Sequence, residues 1–192
     1  EQFAAWARQV LSRHDHARYS DAAGMPVPAA IPPGLTVSLL PQNGNYGDLT
    51  SIINGADYLA ARDGLHVAFA DNLYTGPAPL PLLRHTAPGD VGVLASRYRR
   101  AMAGCRGILV TQPGPSPRAP RPVRALVEKP GLARAMELEE EHGPANLLML
   151  EGRARLTARF LEFARQRHTV QGAEPKLALA IGAYAREHPV VA

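Results

Sequence analysis

Two carboxylates in this chain of 192 residues stand just past apolar runs of strand length: Asp71 after residues 65–70, and Glu128 after residues 123–127. In an α/β sheet, ligands sit beyond the carboxyl ends of the strands. An oxygen donor there can hold a divalent cation or accept hydrogen bonds from hydroxyls. An aspartate in that place can equally cap the turn that follows. Lys129 comes directly after Glu128. Neighbours on an extended segment point to opposite faces, which leaves one of the two open to an ordinary surface role.

Other reactive side chains carry less. The spacing of His14, Asp15 and His16 matches no usual zinc site, and no cysteines support one. The four glutamates within 137–141 fit a solvated helix face. Cys105 lies near arginines, which can lower a thiol pKa, yet an inert thiol is the default. Ser51 and Ser116 have no partner pattern that suggests a nucleophile.

The elements that must position these residues follow from periodicity. Phe3, Trp6, Ala7, Val10 and Leu11 predict an amphipathic opening helix. Pro26, Pro28, Pro32, Pro33 and Gly34 predict a loop. Strands are expected over 35–40, 65–70, 91–95, 107–110, 123–127 and 147–150, and a turn over 43–48. Helices are expected over 50–61, 132–141, 156–166 and 175–187, with Gly64 closing the first. The run 65–70 reads as a strand buried on both faces. Residues 112–122, with five prolines and two arginines, form a loop. Strands alternating with helices predict an α/β fold with a mixed, mostly parallel sheet flanked by helices.

Composition fits that class: 46% of residues are hydrophobic and 20% charged, ordinary values for a globular protein. The net charge of +4 comes mainly from arginine, since Lys129 and Lys176 are the only lysines. Basic residues group densely only around Arg97, Arg99, Arg100 and Arg106, which argues against a nucleic-acid partner. No apolar run is long enough to span a bilayer, so no membrane role is expected. One cysteine excludes an intrachain disulfide and fits a cytoplasmic protein.

Leu126-Val127-Glu128-Lys129-Pro130 resembles the V-E-K-P signature of sugar-1-phosphate nucleotidyltransferases, nearest to the UTP–glucose-1-phosphate uridylyltransferases. Gly152-Arg153-Ala154-Arg155-Leu156-Thr157 is similar to the family's G-R-Y-x-L-T join, and Phe69-Ala70-Asp71-Asn72-Leu73 to its L-P-D-D-L metal strand. Gln42, Gly47 and Ile52 keep the spacing of its Q-x-x-x-x-G-x-G-H-A-V turn. Gly107 stands where the family has a Y-G strand, and Glu174, Leu177 and Ile181 resemble its closing helix. The pieces occur in the family's order over nearly the whole chain, as one nucleotidyltransferase domain, 1–192, of Rossmann-like fold.

The resemblance implies attack of a sugar-1-phosphate oxygen on the α-phosphate of a nucleoside triphosphate, with release of pyrophosphate. Asp71 would then be the Mg²⁺ ligand, and Lys129 would meet the sugar's phosphate as a point charge. Glu128 would accept hydrogen bonds from sugar hydroxyls, and Gly107 would let the sugar lie against bare backbone. Gln42 and the backbone at Gly47 would read the base. A homo-oligomer is left open.

The chain also departs from the family. Its glycine-rich G-x-G-T-R loop has no match, and the chain opens at Glu1, so the expectation is of a missing N-terminal segment that holds the triphosphate. Leu49-Thr50-Ser51 replaces G-H-A, Arg106 replaces the aromatic residue before Gly107, and Leu179 replaces an aspartate. The stretch before Gly152 aligns only with a one-residue slip around Asn146. These departures motivate the alternative of a non-catalytic sugar-nucleotide-binding module.

Overall fold

The computed structural model describes residues 17–21, 26–29, 36–59, 64–69, 83, 86–87, 89–114, 119–167 and 174–192. The expected opening helix and Asp71 lie outside them. The chain divides into two compact units, 1–44 and 45–192.

The first unit contains β1 (Ala17–Asp21), β2 (Pro26–Ala29) and β3 (Thr36–Leu39). β1 is central, antiparallel to β2 and parallel to β3. Strand β3 is where the sequence places it. Pro26 and Pro28 form a strand rather than the expected loop. β2 is an edge strand of this sheet, and an edge needs only one side of its backbone for the ladder, so proline is tolerated there.

The second unit is built on a six-stranded mixed sheet. Its strands are β4 (Leu65–Ala68), β5 (Val91–Arg97), β6 (Ile108–Thr111), β7 (Val123–Val127), β8 (Leu147–Leu156) and β9 (Val190–Val191). The order is β7-β6-β8-β5-β9, with β4 also on β8. The α/β class and the mixed sheet are as expected. Among the described pairings of this six-stranded sheet only β5–β9 is parallel, so the ladder is less parallel than the alternation of strands and helices suggests.

Helices cover both faces. α1 (Asp48–Tyr58), α3 (Ala158–Arg167) and α4 (Leu177–Tyr184) pack on one face. Ile52, Phe160 and Ile181 meet Val93, Leu109 and Leu156 there. α2 (Gly131–His142) covers the other, where Ala135 and Leu138 meet Ile108, Val110, Leu147 and Met149. Successive residues of β6 thus feed opposite cores, and all four are buried, which is why this strand reads as an unbroken apolar run.

Several details differ from expectation. Leu156 ends β8 instead of starting a helix. Thr157 caps α3, its hydroxyl accepting the Phe160 amide at 3.1 Å. α1 ends at Tyr58, with Leu59 as its C-cap, so Gly64 belongs to the approach to β4. β4 is not buried on both faces: its residues alternate between half-buried and exposed, and β8 is its only described partner. The loop 112–122 is tied at its ends, with the Gln112 amide donating to Pro122 O at 2.9 Å and Pro122 bridging to Val191.

Candidate functional site

β8 is long enough to pair with two strands along one edge. Its first part pairs with β6, Ile108 opposite Met149, and its last part pairs with β4, Ala68 opposite Arg153. β4 and β6 therefore approach each other end to end across residues 150–152. The Phe69 amide donates to Gly152 O at 2.8 Å, and the Leu150 amide donates to Gly107 O at 2.9 Å. Between these two bonds the sheet edge splits, and a cavity of about 810 Å³ opens there. The carboxyl ends of β4 and β7 lead into it through Phe69 and Glu128, and ligands of open α/β sheets sit beyond such strand ends.

Three residues expected from the sequence line this cavity: Gly107, Glu128 and Lys129. A Cβ on Gly107 would come 3.0 Å from Glu128 Oε2, so the absence of a side chain leaves this carboxylate room. Glu128 and Lys129 do not take opposite faces. Lys129 has φ 44, the only positive φ of a non-glycine among the described residues. This turn out of β7 brings its Nζ to 4.0 Å from Glu128 Oε1. A non-glycine residue in the left-handed region is strained, and such strain clusters at functional sites. The adjoining Pro130 already disfavours a right-handed helical residue before it.

The opposite wall comes from an irregularity in β8. Between the pairs Val93–Ala154 and Ala95–Leu150, β5 has the single residue Leu94 whereas β8 has three, Glu151, Gly152 and Arg153. Extra residues in a bulge re-aim side chains, and all three line the cavity. Glu151 accepts a hydrogen bond from Ser96 Oγ at 2.6 Å and forms an ion pair with Arg106. Arg153 donates to Phe69 O at 2.6 Å and Gly152 O at 2.9 Å, tying the end of β4 to the irregular stretch of β8.

The segment carrying Arg106 and Gly107 is itself clamped. Arg100 forms a hydrogen-bonded ion pair with Glu139 of α2, and the Tyr98 hydroxyl donates to the same carboxylate at 2.7 Å. The Arg100 guanidinium first and Tyr98 second hold the Glu139 carboxyl down at about 2. Burial and that bond to Glu139 push the Tyr98 hydroxyl up to about 12.

Asp48 reaches the cavity from the start of α1. Its Oδ1 accepts the Leu177 amide at 2.7 Å, at the start of α4. Burial raises its carboxyl, partly countered by backbone bonds from Leu177 and Leu49. Gly47, the preceding residue, is buried, and a Cβ on it would lie 2.5 Å from Pro175 O, so its place is a close backbone approach. Gln42 is an exposed residue of the first unit.

Sequence reasoning missed Asp48, Glu151 and Arg153 as site residues. A signal existed for the last two. A glycine flanked by charges inside an otherwise apolar strand pattern marks a bulge or a close approach. Among the described residues no group of three or more His, Cys, Asp or Glu side chains is placed to hold a metal ion. Asp71, the expected Mg²⁺ ligand, lies outside the described residues. No helix among the described residues is long and apolar enough to cross a membrane.

No protein-family model matches the sequence, and no curated protein matches it. Solved structures do match. One is a UDP-glucose pyrophosphorylase complexed with UDP-glucose, 17% identical, with a TM-score of 0.57 over 82% of this chain and 56% of that one. Another is a UDP-glucose pyrophosphorylase from Acinetobacter baumannii, 18% identical, with a TM-score of 0.63 over 84% of this chain and 53% of that one. A UTP-bound form from that organism is 18% identical, with a TM-score of 0.60 over 82% of this chain and 51% of that one. The chain thus spans about half the length of the structures it matches. At this identity the likeness shows the fold: the chain has the fold of the sugar-1-phosphate nucleotidyltransferases.

Proposed function

We propose that this chain binds a hexose-1-phosphate in the cavity between β4 and β6 and takes part in transferring a nucleotidyl group to it, UMP from UTP. A phosphate oxygen of the sugar attacks the α-phosphorus, the bond to the β-phosphate breaks, and pyrophosphate leaves. The observation that carries this reading is the convergence of Gly107, Glu128 and Lys129 in one cavity.

Two anions must meet in this reaction, so positioning and neutralisation do most of the work. Lys129 sets a positive charge on the sugar's phosphate. Glu128, an acceptor-only group, takes hydrogen bonds from neighbouring hydroxyls. Gly107 keeps the floor beneath Glu128 free of side chain. Asp71 would hold Mg²⁺, which supplies neutralisation of the phosphates. The Gly47 backbone would face the base. Support for the substrates comes from the matched structures, one holding UDP-glucose and another UTP. The exposed thiol of Cys105 suits a reducing compartment such as the cytoplasm.

The test is pyrophosphate release by the protein expressed from its whole reading frame. Glucose-1-phosphate and Mg²⁺ are supplied with UTP, dTTP, CTP, ATP or GTP in turn. Release with UTP is expected; a folded protein that releases none with any nucleotide or other hexose-1-phosphate refutes the enzyme.

One observation favours a second reading, a module that binds a sugar nucleotide without chemistry. Leu49 and Thr50, at the family's G-H positions, are 5% and 1% exposed, committed to the core. Tight sugar-nucleotide binding without turnover would establish this reading.

A further inference from the structure

The cavity contains a charged pair that none of the roles above uses. Glu151 is 13% exposed, and both its carboxylate oxygens are engaged, one by Ser96 and one by Arg106. Arg106 spends one terminal nitrogen on Glu151; its other donors have no hydrogen bond among the described residues. Its side chain is 33% exposed and lines the cavity directly before Gly107. A guanidinium is a planar fork with five N–H donors. Held at one nitrogen, it keeps its remaining donors for a ligand in the cavity.

The pair's charge suggests what those donors meet. Glu151 neutralises Arg106, so the guanidinium suits a neutral oxygen acceptor better than a phosphate dianion. Lys129, 52% exposed and with its nearest carboxylate oxygen among the described residues at 4.0 Å, is the better cation for the phosphate. We infer that Arg106 is a specificity-determining residue that donates to a hydroxyl oxygen of the hexose, and that Glu151 is the positioning residue that holds it. The pair thus makes the site selective for hexose-1-phosphates that keep this hydroxyl over their deoxy analogues. This rests on the sugar-phosphate reading above. A site built to hydrogen-bond a hydroxyl rejects the analogue lacking it far more sharply than an apolar pocket does.

The experiment is calorimetric titration of the full chain with glucose-1-phosphate and its 2-, 3-, 4- and 6-deoxy analogues. The variants are Glu151→Gln and the double variant Arg106→Met with Glu151→Gln, which leaves no charge buried without its partner. The wild type should bind at least one deoxy sugar about 10-fold more weakly than the parent. In the double variant that ratio should fall to near unity, and in Glu151→Gln alone to an intermediate value. A merely structural role for the pair would weaken every sugar by the same factor and leave the ratios unchanged. Unchanged ratios overturn this inference and leave the sugar-phosphate reading standing. Failure of the folded wild type to bind any sugar phosphate overturns that reading, and this inference with it.

Discussion

Lys129 occupies a backbone conformation that glycine adopts freely, so charge and strain can be separated there. With φ 44, an L-residue carries roughly 1–2 kcal/mol of strain. Lys129→Gly relieves it, but the freer unfolded chain returns about 0.4–1 kcal/mol. Lys129→Ala keeps the strain. The ion pair to Glu128, at 4.0 Å from a half-exposed lysine, contributes little. Lys129→Gly should therefore be more stable than Lys129→Ala by about 0.5–1 kcal/mol, or a few degrees in Tm for a chain of this size. Both variants lose the ammonium. A charge-assisted contact of about 1.5–3 kcal/mol corresponds to roughly 10- to 100-fold weaker glucose-1-phosphate binding. Thermal melting and calorimetry on the two variants measure each effect. An alanine variant as stable as the glycine variant would refute the strain argument. Wild-type sugar-phosphate affinity in both variants would refute the phosphate role.

Three further outcomes follow from the same geometry. Gly107→Ala places a Cβ 3.0 Å from Glu128 Oε2; displacement of that carboxylate should cost about 1 kcal/mol of sugar-phosphate affinity, several-fold by calorimetry, with little change in melting. Burial raises the Asp48 carboxyl above 3.8, so the folded state holds this proton more tightly, and stability is lost as pH rises from there through the raised value. Asp48→Asn keeps an acceptor for the Leu177 amide and should flatten that part of the profile in melts across the acid range. Glu139, held at about 2 from 4.5, has the opposite sign: its contribution is present above 4.5 and lost as pH falls toward 2. Glu139→Gln should lower the melting temperature at neutral pH, remove that acid-side slope, and weaken sugar-phosphate binding by loosening the segment that carries Arg106 and Gly107.

Long, strongly patterned elements were legible from sequence. The apolar runs of β6 and β7 and the 3.6-residue period of α1 and α2 gave both their type and place. Glu128 was found because it sits past a strand end, Lys129 and Gly107 through the resemblance to V-E-K-P and to the Y-G strand, and the structure brings all three to one cavity. What the sequence hid depends on contacts between distant segments. β1, with the residues ARYSD, has no apolar run to announce it. β9 is two residues long and exists by pairing with β5. The opposite-face argument for Glu128 and Lys129 assumed extended backbone, and the chain turns there instead. Glu151 was missed because the strand was expected to stop at residue 150, whereas β8 continues through a bulge.

The most direct test of the central claim is a crystal structure of the protein with glucose-1-phosphate. The phosphate is expected beside Lys129 Nζ and the sugar ring against Gly107, with hydroxyls donating to Glu128. A sugar phosphate bound elsewhere, with the cavity between β4 and β6 left to solvent, would contradict it.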